Sequence, residues 1–173
     1  MSHPEDPTQN GFNSAPAGEV RNAEKSDIEH LVRLWFSGWQ DAHAAILPAE
    51  LSRYRTPESF RQRLIDSLAL TRVSGPPDSP SGLCMIKQDE LYQLYVAPAA
   101  RGTGTAAALL ADGERRIAAS ASSTAWLACA IGNERAARFY EKHGWHRAGQ
   151  MTNQLPTPDG TFDLEVWRYE KRL

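Results

Sequence analysis

ELYQLYVAPAARGTGTAAALLADGERRI, residues 90–117, passes from a strand-like alternation through a glycine-rich turn into an alanine- and leucine-rich helix. A turn of this kind entering a helix leaves several backbone N–H groups without intrahelical partners. These converge with the positive end of the helix dipole, so the turn reads as a cradle for a small anion such as a pyrophosphate. Gly102 and Gly104 let the main chain approach a ligand without an intervening Cβ, and Arg101 adds a charge that does not titrate. Leu109, Leu110, Gly113 and Ile117 form the packing stripe of the helix, expected over Thr105 to about Ala119. A glycine in a helix interior costs ~1 kcal/mol against alanine, so Gly113 implies close approach to a sheet.

Downstream, TAWLACAI (124–131) is an almost wholly apolar strand, as expected when both faces are covered. With the helix as crossover, it should lie parallel to residues 90–96 in a right-handed βαβ unit. Asn133 then caps a helix, ERAARFYEKH, that Gly144 ends. A PTPDG turn joins HRAGQMTNQL to TFDLEVWRYEKRL as a closing hairpin.

Upstream, Glu19 to Ala23 suit a first strand, and Ser26 with Glu29 suggests a capping box. Ile28, Leu31, Val32, Trp35 and Trp39 then recur at helical spacing, predicting a helix from Asp27 to about Asp41. HAAILPAELSRY is irregular or briefly helical, and Thr56 with Pro57 opens a second helix bearing Phe60 and Leu64. LALTRVS, LCMIK and ELYQLYV, separated by GPPDSPSG and a tight QD turn, predict an antiparallel meander.

The 173 residues suit one domain over 18–173, with polar residues 1–17 expected as a flexible tail. A net charge of −2 gives no global field for nucleic acid, so an anion site must be local. Cys84 and Cys129 have neither disulfide-framework nor metal-ligand spacing, and the histidines add no metal partner, so no metal is expected. The two cysteines suggest a reducing, cytoplasmic setting; no apolar run approaches membrane-spanning length, so no membrane association is expected.

Two motifs occur in order. Arg101, Gly104 and Ala106 meet the pattern Q/R-x-x-G-x-G/A, and Asn133, Ala136, Tyr140, Gly144 and Trp145 meet N-x-x-A-x-x-x-Y-x-x-x-G-F/W. In both, and in the order of strands and helices, the chain resembles the GNAT superfamily of acetyl-CoA-dependent N-acetyltransferases. The strongest likeness spans Glu90 to Trp145, and the element order is compatible from about Glu19 onward. The resemblance implies a single α/β (α+β) domain with a mixed, mostly antiparallel sheet. A central splayed parallel strand pair is flanked by helices. It also implies acetyl-CoA as co-substrate and a small-molecule or peptide amine as acceptor. The segment Arg101, Gly102, Thr103, Gly104, Thr105 and Ala106 would hold the pyrophosphate, while Leu94, Tyr95 and Val96 would pair with the pantetheine arm. A backbone N–H near Val96 would polarise the thioester carbonyl. Final strands of such sheets often pair between subunits, so a homodimer is one expectation and the oligomeric state stays open.

By the same resemblance Tyr140 is the acid toward the departing thiolate, and Glu90 occupies the position of a general base. Glu90 also shares the alternation of Tyr92, Leu94 and Val96, although a solvated turn charge beside Asp89 is an equal reading. Asn133 either caps its helix alone or also contacts the cofactor. His43, Tyr54 and Tyr169 fall in segments that border the acceptor site in the family, while Trp35 and Trp39 lie on a core stripe. The turn also fits G-x-G-x-x-A, so a dinucleotide-dependent oxidoreductase is weighed; the intervening VAPAAR and the preceding meander argue against it. A catalytically silent acyl-CoA sensor is the other alternative.

Overall fold

The computed structural model describes residues 18–173; the tail expected over 1–17 lies outside the described residues. Seven strands, β1 (Val20–Asn22), β2 (Thr71–Ser74), β3 (Gly82–Lys87), β4 (Glu90–Val96), β5 (Thr124–Ala130), β6 (His146–Thr157) and β7 (Gly160–Arg172), form one sheet in the order β1-β2-β3-β4-β5-β7-β6. Every neighbouring pair is antiparallel except β4 and β5. Helices α1 (Ile28–His43), α2 (Ala49–Ser52) and α3 (Pro57–Asp66) cover one face; α4 (Thr105–Ala119) and α5 (Glu134–Lys142) cover the other.

Local chemistry explains where these elements begin. Thr56 Oγ1 accepts from the Ser59 amide at 3.2 Å, with Pro57 at the first position of α3, and Asn133 Oδ1 accepts from the Ala136 amide at 3.2 Å to start α5. The N-terminal capping box is displaced from its expected place: Glu24 and Asp27 form it around a short 3-10 turn that precedes α1. Asp27, fully buried, receives both Nη atoms of Arg21 at 2.8 and 2.9 Å together with the amides of Glu24 and Asp78. That fourfold demand overrides the Ser26–Glu29 pattern. Leu68–Leu70, expected as strand, is a 3-10 turn that ends where Thr71 joins the ladder.

The core divides across the sheet. Trp35, Phe60, Leu64, Val73, Leu83 and Met85 pack on the α1/α3 side, while Cys84, Leu91, Leu109, Ile117, Leu127 and Tyr169 pack on the α4/α5 side. Gly113 brings α4 close to the sheet as its sequence position implies: a Cβ there would meet Leu91 Cδ1 at 3.0 Å and Cys84 Sγ at 3.2 Å. The apolar character of β5 has a different cause from the one expected. Ala125 and Leu127 are buried toward the helices, but Ala128, Cys129 and Ala130 border a cavity beside β4.

Candidate acyl-transfer site

The cavity begins where the two parallel strands part. Glu90 pairs with Trp126, and the Trp126 amide bonds to the Asp89 carbonyl at 3.0 Å; no later register pair joins β4 to β5 among the described residues. On its other edge β4 stays paired with β3, but the register shifts: Met85 faces Gln93 and Ile86 faces Leu91, leaving Tyr92 as the extra residue. An unpaired residue of this kind bends its strand and raises its twist, turning β4 away from β5. The wedge between them opens into a cavity of about 590 Å³.

Gly102, Gly104, Ala106 and Ala107 lie at one end of that cavity. Gly104 is the residue before α4 and adopts φ +87°, a left-handed conformation that side chains rarely take. Behind it the first-turn amides of α4 lack intrahelical partners, so this end of the cavity offers N–H groups and a positive dipole to an anion. Arg101 lines the same end, its Nη2 held by Asp41 Oδ2 at 2.8 Å, and the same oxygen accepts from Arg135 at 3.0 Å. These bonds, Arg135 first, hold the Asp41 carboxyl below its usual range. Thr103 and Thr105, expected in the cradle, spend their side chains inside the turn. Thr103 Oγ1 donates to the Ala100 carbonyl at 2.6 Å and lies 2.8 Å from Thr105 Oγ1, and Thr105 is buried.

Leu94, Tyr95 and Val96 line the wall along β4, and Asn133 and Tyr140 line the wall from α5. Asn133 therefore caps its helix and borders the cavity at once. Tyr140 packs against Phe139, Trp145 and Tyr169 at centroid distances of 5.4, 6.0 and 6.4 Å. Its hydroxyl meets no protein partner among the described residues, and burial pushes its phenol well above the usual tyrosine value. The two cysteines are poor nucleophiles: burial pushes Cys129, which lines the cavity, up to about 11 and Cys84 up to about 12.

The structure does not bring Glu90 to this cavity. The bulge at Tyr92 breaks the alternation, so Glu90, opposite Lys87, shares a face with Tyr92 rather than with Leu94 and Val96, which pack on the α4 side. Its carboxyl is raised by burial, but its charged neighbours are Lys87, Asp89 and Arg168. His43, at the end of α1, does line the cavity. Its ring lies 5.6 Å from Trp39 and 6.5 Å from Tyr95, its Nδ1 has no partner, and burial lowers its pKa to about 4, leaving a neutral imidazole. Tyr54 and Tyr169 are engaged elsewhere, with Asp159 at 3.1 Å and Glu141 at 2.8 Å. Sequence reasoning passed over Arg55 and Arg63, which line the cavity beside Tyr92 and Tyr95. Their spacing around Phe60 and Leu64 was the available signal, and it reads equally well as solvated helix charge.

A parallel strand pair parting beside a glycine turn, with a tyrosine-bearing helix opposite, defines the fold of GNAT-type acyltransferases. Residues 76–145 match the model of the Acetyltransferase (GNAT) family. Solved structures agree. A GCN5-related N-acetyltransferase from Rhodopseudomonas palustris superposes with a TM-score of 0.70 at 20% identity, covering 90% of this chain and 96% of its own. The PaiA N-acetyltransferase of Thermoplasma acidophilum, in complex with coenzyme A, gives 0.64 at 18% identity, covering 90% and 98%. The YncA protein of Salmonella typhimurium, solved with its cofactor acetyl-CoA, gives 0.59 at 15% identity, covering 90% and 93%. No curated protein matches the chain. The family match thus rests on residues 76–145, and the described chain as a whole shares the fold of these N-acetyltransferases.

Proposed function

We propose that the protein transfers the acetyl group of acetyl-CoA to a primary amine by direct attack in a ternary complex. The observation that carries this reading is the single cavity in which the α4 turn, the unpaired edge of β4 and Tyr140 converge. The fit is specific. The α4 amides and Gly104 suit the pyrophosphate, Arg101 supplies charge beside it, and the β4 edge around Leu94–Val96 suits the pantetheine amides as an added strand. When bound, acetyl-CoA supplies an activated thioester carbonyl. The chain supplies placement, an amide dipole near Val96 aimed at the oxygen where charge develops, and proton transfer.

Amine attack needs a lone pair on nitrogen. His43, a neutral imidazole in the cavity wall, takes the proton of the amine as the new N–C bond forms. Tyr140, with its hydroxyl free, donates to the departing sulfur; its raised pKa makes it chiefly a hydrogen-bond donor to the thiolate. A covalent acyl-cysteine route is disfavoured by the raised thiols. Release of CoA from acetyl-CoA across a panel of amines tests the reading. Acetyl-dependent turnover with at least one amine supports it. Binding of acetyl-CoA without turnover of any amine would favour a silent sensor, and stabilisation by NAD instead would favour the oxidoreductase.

A further inference from the structure

Two guanidinium groups on the acceptor side of the cavity have no counter-charge. Arg55 is only 4% exposed, and its one protein hydrogen bond runs from Nη1 to the Pro156 carbonyl at a long 3.4 Å. Arg63 donates to the Tyr92 hydroxyl at 2.8 Å and is clamped over the Trp35 ring, 4.6 Å from its centroid. Both line the cavity, and no Asp or Glu among the described residues lines it with them. Neither arginine has a carboxylate partner among the described salt bridges: Glu90 lies outside the cavity lining, and Asp159 accepts from the Tyr54 hydroxyl.

Burying a guanidinium without a counter-charge is unfavourable, and the neighbouring Arg63 makes the charge of buried Arg55 costlier. The penalty is offset when an anion with paired oxygens enters, because a guanidinium presents its N–H donors in a fork that matches a carboxylate. The stacking of Arg63 on Trp35 fixes that fork in advance, which lowers the ordering cost on binding. Arg63 and Tyr92 lie with the α1/α3 core, while Tyr140 packs with the α4/α5 core, so the arginines and the proposed acid flank β4 from opposite faces. An acceptor with its amine at the parted strands therefore directs its far end toward Arg55 and Arg63.

We infer that the acceptor is an amine that also carries a carboxylate, which Arg55 and Arg63 receive in the cavity. This inference rests on the acetyl-transfer reading for the amine and on the arginine pair for the carboxylate. A polycationic acceptor finds no carboxylate in the cavity to hold it. The same positive field disfavours an ammonium on the bound acceptor and so helps deliver the neutral amine that attack requires.

The test is a panel of α-, β- and γ-amino acids and dipeptides, each paired with its own carboxamide, with spermidine as a polycation. CoA release is followed alongside calorimetric binding of the N-acetylated acids and their amides. The carboxylate members are expected to exceed their amides in kcat/KM by about 10- to 100-fold. Arg63→Met and Arg55→Met should abolish that preference while leaving the stabilisation by acetyl-CoA unchanged, which also reports that the variants fold. Amides or spermidine turning over as well as the carboxylates would overturn the inference and leave acetyl transfer standing. If no amine releases CoA yet an N-acetyl acid binds better than its amide, the carboxylate site stands and the proposed reaction falls. Equal binding of acids and amides sinks the carboxylate site by itself.

Discussion

Glu90 of β4 faces Trp126 of β5, and at this pair the two parallel strands are joined for the last time before they part. Trp126 is pinned there by its indole, which donates to Asp89 Oδ1 at 3.1 Å, and by the Arg168 guanidinium 4.5 Å over its ring. The closed end of the wedge is thus tied by side chains as well as backbone, while the bulge at Tyr92 bends the rest of β4 away. Loosening the tie with Trp126→Ala removes a large half-buried aromatic and should cost roughly 3 kcal/mol in denaturant unfolding.

Tyr140→Phe keeps the ring packing against Trp145 and removes only the hydroxyl. Turnover should fall by about 10-fold or more, with acetyl-CoA still raising the melting temperature. Wild-type turnover in this variant would remove Tyr140 from the chemistry and leave it as a wall.

His43→Asn and Glu90→Gln separate the two candidates for the amine proton. With His43 lining the cavity and Glu90 outside it, His43→Asn should lower kcat/KM most at neutral pH and progressively less as the amine deprotonates in alkali. Glu90→Gln should stay within about 2-fold of wild type throughout, since it removes a charge that does not face the acceptor. The reverse pattern returns the role to Glu90.

Gly38 lets α1 pass close over β4: a Cβ on it would stand 2.6 Å from Tyr95 Cδ1. Gly38→Ala must therefore push the Tyr95 ring into the cavity or lift the helix. The expected cost is ~1–3 kcal/mol of stability, together with weaker acceptor binding seen as a raised KM. A variant as stable and as active as wild type would mean that Tyr95 moves freely.

Stability should fall with acid in two stages. His43 titrates near 4 in the folded protein but at 6.5 when unfolded, so the unfolded chain takes up its proton first and stability declines as pH drops from about 6.5 through 4. Asp27, held below its ordinary 3.8 chiefly by Arg21, contributes stability that is full above about pH 4 and lost as pH falls through its lower folded value. Asp27→Asn should cost roughly 3 kcal/mol at pH 7 and abolish the second stage; denaturant midpoints across pH read both.

The turn at Gly104 and the helix from Asn133 to Gly144 were legible in the sequence because glycine and asparagine hold those places for local backbone reasons. The parallel pairing followed from the length and hydrophobicity of the crossover. The bulge at Tyr92 was not legible, since nothing in ELYQLYV distinguishes it; the irregularity arises from register against β3, and with it went the alternation argument for Glu90. Arg55 and Arg63 were passed over for a similar reason. A basic residue beside an apolar stripe reads as solvated until the fold closes over it.

Amide hydrogen exchange with and without acetyl-CoA tests the central claim most directly. The claim is that the parted edge of β4 and the α4 turn together receive the co-substrate. Slowed exchange confined mainly to Leu94–Val96 and Gly102–Ala106 on addition of acetyl-CoA is the predicted result. Unchanged exchange at both segments in folded protein under saturating acetyl-CoA would contradict it.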